Sequence, residues 1–175
     1  DDAIHLADDL AQASAFTWVN VELALALARL GVPVTMQAST VSPTIEAETR
    51  RHLQPLLVER PPIGGTQIKW SHYWPRHLHL ELNGRLNAEF FVTNYRFGSP
   101  GREPWDYWLQ TLRQNGRLKL PVSEFCAEVL AQVGVPAAEY AVLHHGYSRE
   151  ILEVEPPPRT GGRFRLLTVT NSHDL

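Results

Sequence analysis

Short apolar runs and helix-length amphipathic stretches alternate along the chain. Residues 3–7 (AIHLA) predict a strand, followed by a loop, DDLAQASAFTW. The next segment, VNVELALALARLG, is rich in Ala, Leu and Glu and apolar over most of its circumference, so it predicts a helix packed broadly against a sheet. Gly31 stops it, and residues 33–38 resume as a second strand, which makes a β-loop-α-β unit with its loop at the strand's carboxyl end. Residues 45–58 predict a short or broken helix, because Pro55 interrupts the pattern. Beyond Gly64-Gly65, the run IKWSHYW sets Ile68, Trp70, His72 and Trp74 on one face and Lys69, Ser71 and Tyr73 on the other, which is strand alternation.

Residues 88–94 (AEFFVTN) predict a strand whose continuous run Phe90-Phe91-Val92 suits burial on both sides. Pro104 fits a first helical turn, and Trp105, Trp108, Leu109 and Leu112 follow at helical spacing until Gly116. Residues 118–122 predict the next strand. Ser123 then suits an N-cap and Glu124 the positive end of a helix dipole, while Phe125, Cys126, Val129, Leu130 and Val133 form one apolar stripe. Gly134 and Pro136 end that helix, and residues 140–143 predict a last strand that runs into His144-His145-Gly146. Strands and helices that alternate with crossover-length connections predict an α/β fold: an open, doubly wound parallel sheet with helices on both faces. In such sheets ligands gather at the carboxyl ends of the strands.

Length sets the organisation. A chain of 175 residues with 43% hydrophobic positions buries one sizeable core, which fits a single domain over residues 1–154. The three successive prolines and the Gly pair in 155–163 predict a semi-rigid interdomain linker, and 164–175 the first strand of a further domain that continues beyond Leu175.

A net charge of −3 gives no basic field for nucleic acid or an anionic membrane surface. No window approaches the roughly 18–20 apolar residues of a membrane span. Asp1, Asp2, Asp8 and Asp9 stand where a signal peptide would be positive, so a cytoplasmic, soluble protein is expected. Cys126 is alone and falls in a helix stripe, as a small core residue. The histidines His72, His77, His79, His144 and His145 lack zinc-site spacing and a cysteine pair, so no metal is expected. Ser172-His173-Asp174 are adjacent on an extended chain and cannot adopt triad geometry. The periodicity of Trp70, Trp74, Trp105 and Trp108 favours core packing over stacking on sugars.

Several short motifs follow one another in a telling order. They are Asn20-Val21-Glu22-Leu23-Ala24, then Asn94-Tyr95-Arg96-Phe97-Gly98 with Pro104-Trp105, then Pro121-Val122-Ser123-Glu124-Phe125, Gly134-Val135-Pro136 and His145-Gly146. The set resembles the GT-B glycosyltransferases, in particular the retaining, nucleotide-sugar-dependent family 4, over nearly the whole chain. His144 stands where that family usually has proline, and Tyr147-Ser148 where it has Val-Asp. The resemblance implies a Rossmann-like N-terminal, acceptor-binding half of a GT-B fold. It also implies a separate C-terminal domain that holds the donor, and a nucleotide sugar as substrate without a permanently bound cofactor. The expected partners are thus a nucleotide sugar, a carbohydrate or other hydroxyl acceptor, and the missing domain.

Sugar transfer needs an acceptor hydroxyl held beside the anomeric carbon and a stabilised diphosphate leaving group. Polar groups at strand ends are the candidates: His72 and His145 for catalysis, and Ser14, Thr17, Asn94, Arg96, Ser123, Glu124 and Gly146 for acceptor or donor binding. His72 also fits a buried histidine with one hydrogen bond, Arg96 an exposed surface cation, and Ser123 a plain helix cap. The alternative function is a non-catalytic α/β domain that binds a ligand or partner.

Overall fold

A computed structural model describes residues 3–7, 10, 15–37, 41–60, 62–71, 84–114 and 117–146, with Glu153 and Glu155. The elements run β1 (Ile4–Ala7), α1 (Ala15–Arg29), β2 (Val34–Gln37), α2 (Ala47–Leu53), β3 (Leu57–Val58), β4 (Thr66–Ser71), β5 (Leu86–Phe91), α3 (Glu103–Gln114), β6 (Leu118–Pro121) and α4 (Glu124–Gln132). All six strands join one sheet in the order β3-β2-β1-β4-β5-β6, and every neighbouring pair is parallel. The chain winds outward from β1 to β3, then restarts on the other side of β1 and winds outward to β6. The order therefore reverses between β1 and β4, the switch point of a Rossmann-like doubly wound α/β fold.

Helices cover both faces. Leu6, Val34 and Met36 form one core with Val21, Ala24 and Leu25 of α1 and Leu53 of α2. Phe91 forms the other with Leu109 and Leu112 of α3 and Cys126, Val129 and Leu130 of α4. Register places the two on opposite faces, because Leu6 pairs through Ile68 to Ala88, and Phe91 lies an odd number of residues from Ala88. Each of the larger aliphatic side chains contributes about 1.5–3 kcal/mol by leaving water. Gly31 and Gly134 stop α1 and α4 with positive φ of 75° and 83°. The amides that follow reach back to Leu27 and Leu130, which closes the last turn in a Schellman arrangement.

The face opposite α1 departs from the apolar habit of a fully covered parallel sheet. His5, Gln67, Lys69, Glu89 and Lys119 all lie on it, none more than 3% exposed. Lys69, Glu89 and Lys119 are direct neighbours across β4, β5 and β6. His5 lies between Thr35 and Gln67.

Three expectations are adjusted. Helix α1 begins at Ala15, inside the stretch expected as loop, because its sheet-facing stripe opens with the polar pair Thr17 and Asn20 before Val21 and Ala24 take over. The broken helix at Pro55 resolves into α2, a 3-10 turn over Gln54–Leu56 and the short strand β3. The last expected strand is extended but joins the sheet only through a bridge from Tyr140 to Lys119, with Ala141 and Leu143 donating to the carbonyls of Lys119 and Pro121. The packing of Trp70, Trp74, Trp105 and Trp108 lies outside the described side chains.

The chain divides into two compact units, Asp1–His145 and Gly146–Leu175. Of the second, only Gly146, Glu153 and Glu155 are described, so the expected linker and further strand lie outside the described residues apart from Glu155. No helix among the described residues is long and apolar enough to cross a membrane.

Candidate functional site

The carboxyl ends of β5 and β6 present most of the described candidates. Beyond Phe91 the chain turns at Thr93, whose Oγ1 accepts from the Tyr95 amide and donates to the Tyr95 carbonyl, at 3.4 and 3.2 Å. The following loop is anchored on both neighbouring helices. Asp106 of α3 accepts from the Gly98 amide through both carboxylate oxygens at 3.2 Å, and the Arg102 guanidinium lies 5.3 Å from the Tyr95 ring. On the α4 side, the Cys126 thiol contacts the Thr93 carbonyl at 3.7 Å. A loop held at so many points presents its side chains from fixed positions.

Two candidates sit on that loop. Asn94 is exposed. Arg96 is exposed too, but its guanidinium is engaged, 2.8 Å from Glu128 and 5.1 Å from the Phe125 ring. Ser123 performs its expected duty as the N-cap of α4, its Oγ accepting from the Cys126 amide at 3.2 Å. Glu124 follows in the first turn, where the helix dipole favours a carboxylate, and the His144 ring nitrogen approaches it to 4.0 Å. His145 packs edge-on to Phe90, ring centroids 6.2 Å apart at 73°. Burial holds its imidazole below the ordinary histidine pKa, so at neutral pH it is uncharged and offers one donor and one acceptor.

The geometry therefore gathers Arg96, Ser123, Glu124 and His144 around the start of α4, from three stretches distant in sequence, while the next residue, His145, turns to Phe90 of β5. Thr17 stands apart. It lies in the first turn of α1, 1% exposed, and so is part of the sheet-facing stripe and not a loop tip. This corrects its expected placement. Ser14 and His72 lie outside the described residues, and Gly146 opens the second unit.

The chain matches no protein-family model, curated protein or solved structure. Among the described residues no group of three or more His, Cys, Asp or Glu is placed to hold a metal ion.

The buried polar residues of the sheet were the ones missed. Lys69, Glu89 and Lys119 each occupy the position that alternates with an apolar neighbour, the ordinary mark of a solvent-facing position. The available signal was architectural: if both faces of a parallel sheet are covered, a charge at an alternate position is buried.

Proposed function

We propose that the chain is the acceptor-side half of a retaining, nucleotide-sugar-dependent glycosyltransferase of the GT-B type. The observation that carries this reading is the meeting, at one sheet edge, of motifs whose order resembles that family. Asn94 and Arg96 follow β5, Ser123 and Glu124 open α4, and His145 ends the segment beside β6. In the proposed role, the neutral imidazole of His145 hydrogen-bonds a sugar or acceptor hydroxyl, and Asn94 and Glu124 orient the acceptor. The start of α4 favours a negative group through its dipole. The donor diphosphate falls to a second domain, and the nucleotide sugar is a substrate, not a resident cofactor.

One observation favours a second reading, a non-catalytic ligand-binding domain. The Arg96 guanidinium is engaged by Glu128 and Phe125 and so is less available to a phosphate.

A binding and hydrolysis screen with UDP-, GDP- and ADP-sugars separates the two, run on this chain and on the complete product of its reading frame. Transfer by the complete product supports the glycosyltransferase and identifies the donor. A folded but silent complete product supports the binding domain. In an active enzyme, His145→Ala is expected to lower turnover by about tenfold or more, the worth of one hydrogen bond to a reacting group. The melting temperature should change little. Unchanged turnover removes His145 from the site.

A further inference from the structure

The buried polar face of the sheet holds a group that sugar transfer at the strand ends leaves unused. Lys69, Glu89 and Lys119 lie side by side on β4, β5 and β6, at 3%, 1% and 0% exposure. The single carboxylate in that row is bonded to one lysine: Lys119 Nζ lies 3.2 Å from Glu89 Oε1 and also donates to the Arg117 carbonyl at 2.6 Å. Glu89 attracts Lys69 at longer range, but among the described residues no hydrogen bond or ion pair holds the Lys69 ammonium.

On its other flank Lys69 faces Ala7 of β1, whose methyl group fills little space. One pleat back on β1, His5 is 1% exposed and contacts Thr35 Oγ1 through Nδ1 at 2.9 Å, while its Nε2 is buried without a partner among the described residues. His5 and Lys69 are thus diagonal neighbours on the same face of the β1–β4 pair. That pair flanks the point at which the strand order reverses.

Neither group is costless as it stands. An ammonium without a direct partner and an imidazole nitrogen without one are both costly to hold away from water. A single oxyanion answers both. With the Thr35 hydroxyl donating to Nδ1, the imidazole takes the tautomer that points an Nε2–H donor outward from the pair.

We propose that Lys69 and His5 form an oxyanion-binding site on the buried face of the β1–β4 pair, for the carboxylate or phosphate group of a small ligand. Lys69 supplies the charge, His5 a neutral directional donor, and Glu89 with Lys119 holds the neighbouring charges in place. Burial and the Arg117 and Lys119 charges depress the Lys69 amine while Glu89 opposes them, and a bound anion adds to the side of Glu89. The site is independent of the glycosyltransferase reading, since it uses none of the residues at the start of α4.

Thermal unfolding of the whole chain tests it, with inorganic phosphate or acetate titrated against chloride at constant ionic strength. Binding to the native state produces a saturable rise in Tm. The expected result is such a rise with at least one of the two anions. It should be abolished in Lys69→Met, which keeps the length of the side chain without its charge, and diminished in His5→Leu. A response to phosphate alone assigns a phosphorylated ligand, and one to acetate alone a carboxylate. No saturable rise with either anion, or an equal rise in Lys69→Met, overturns the proposal. If Lys69→Met does not fold, the Lys69 side-chain NMR resonance of the wild-type chain is followed through the same titrations. Saturable displacement supports the site, and an unmoved resonance overturns it.

Discussion

The two faces of the sheet are built from the same strands, yet they reach burial by opposite means. Towards α1 the strands offer Leu6, Val34 and Met36, which need only neighbours of fitting volume. Towards α3 and α4 they offer Phe91 at the carboxyl end and, one pleat earlier, the charged row Lys69, Glu89 and Lys119. An apolar face tolerates exchange of one aliphatic side chain for another of similar size, because its attraction has no direction. A buried charged row depends on the charges beside it, since each ion has given up its water. Equal burial thus hides unequal sensitivity.

The largest effect is expected at the only carboxylate between the two lysines. Glu89→Gln preserves shape but removes the ion partner of Lys119 and the negative charge nearest Lys69, which should cost about 3–5 kcal/mol in urea unfolding. Replacing the whole row, Lys69→Met with Glu89→Leu and Lys119→Met, should recover most of that loss. A Glu89→Gln variant as stable as the wild type would show that the row carries no charge to be stranded. On the opposite face Leu6→Ala should cost about 2–5 kcal/mol by the same measurement, through lost burial and the cavity left behind. There Leu6→Met should cost less than about 1.5 kcal/mol. If Leu6→Met proved as damaging as Leu6→Ala, the claim that this face responds to volume alone would fail.

This asymmetry also explains how much was legible in the sequence. Turn residues and apolar spacing located most of the elements, because Gly31, Pro104, Ser123 and Gly134 each act on the backbone beside them. The parallel sheet followed from alternation of strand and helix. The start of α1 did not follow, since Thr17 and Asn20 are buried polar residues at positions where periodicity looks for apolar ones. The charged row was hidden for the same reason: a pattern of one charge in every two residues reads as a wet face until the covering helices are known. At the candidate site, the cap at Ser123 was readable from local chemistry. The pairing of Arg96 with Glu128 was not, because it joins a loop and a helix that are remote in sequence.

A third expected effect is smaller and lies with His5. Burial lowers its pKa below 6.5, so the folded chain prefers the neutral ring. The sign follows: stability linked to His5 is fully present above pH 6.5 and is lost as pH falls through the lower folded-state value. Acid unfolding of His5→Leu should accordingly show a flatter pH dependence just below 6.5 than the wild type, whatever its baseline stability. His145 titrates in the same direction and is retained in both chains, so it cancels in the difference. Parallel curves would mean that the ring does not resist protonation where it lies.

The smallest effect is expected where the same chemistry meets water. Arg96 and Glu128 form a closer ion pair than Lys119 and Glu89, 2.8 against 3.2 Å, but their side chains are 52% and 59% exposed while the buried pair is at 0% and 2%. Solvent screens the exposed pair and competes for both ions, and ordering two long side chains offsets what attraction remains. Arg96→Ala should therefore cost no more than about 0.5 kcal/mol, reduced further by salt. Its value is better sought in binding. The same substitution removes the cation over Phe125, and if Arg96 serves an anionic donor or acceptor, ligand affinity should fall while the unfolding midpoint stays. A loss of stability comparable to that of Glu89→Gln would reverse the comparison and make distance, not exposure, the governing quantity.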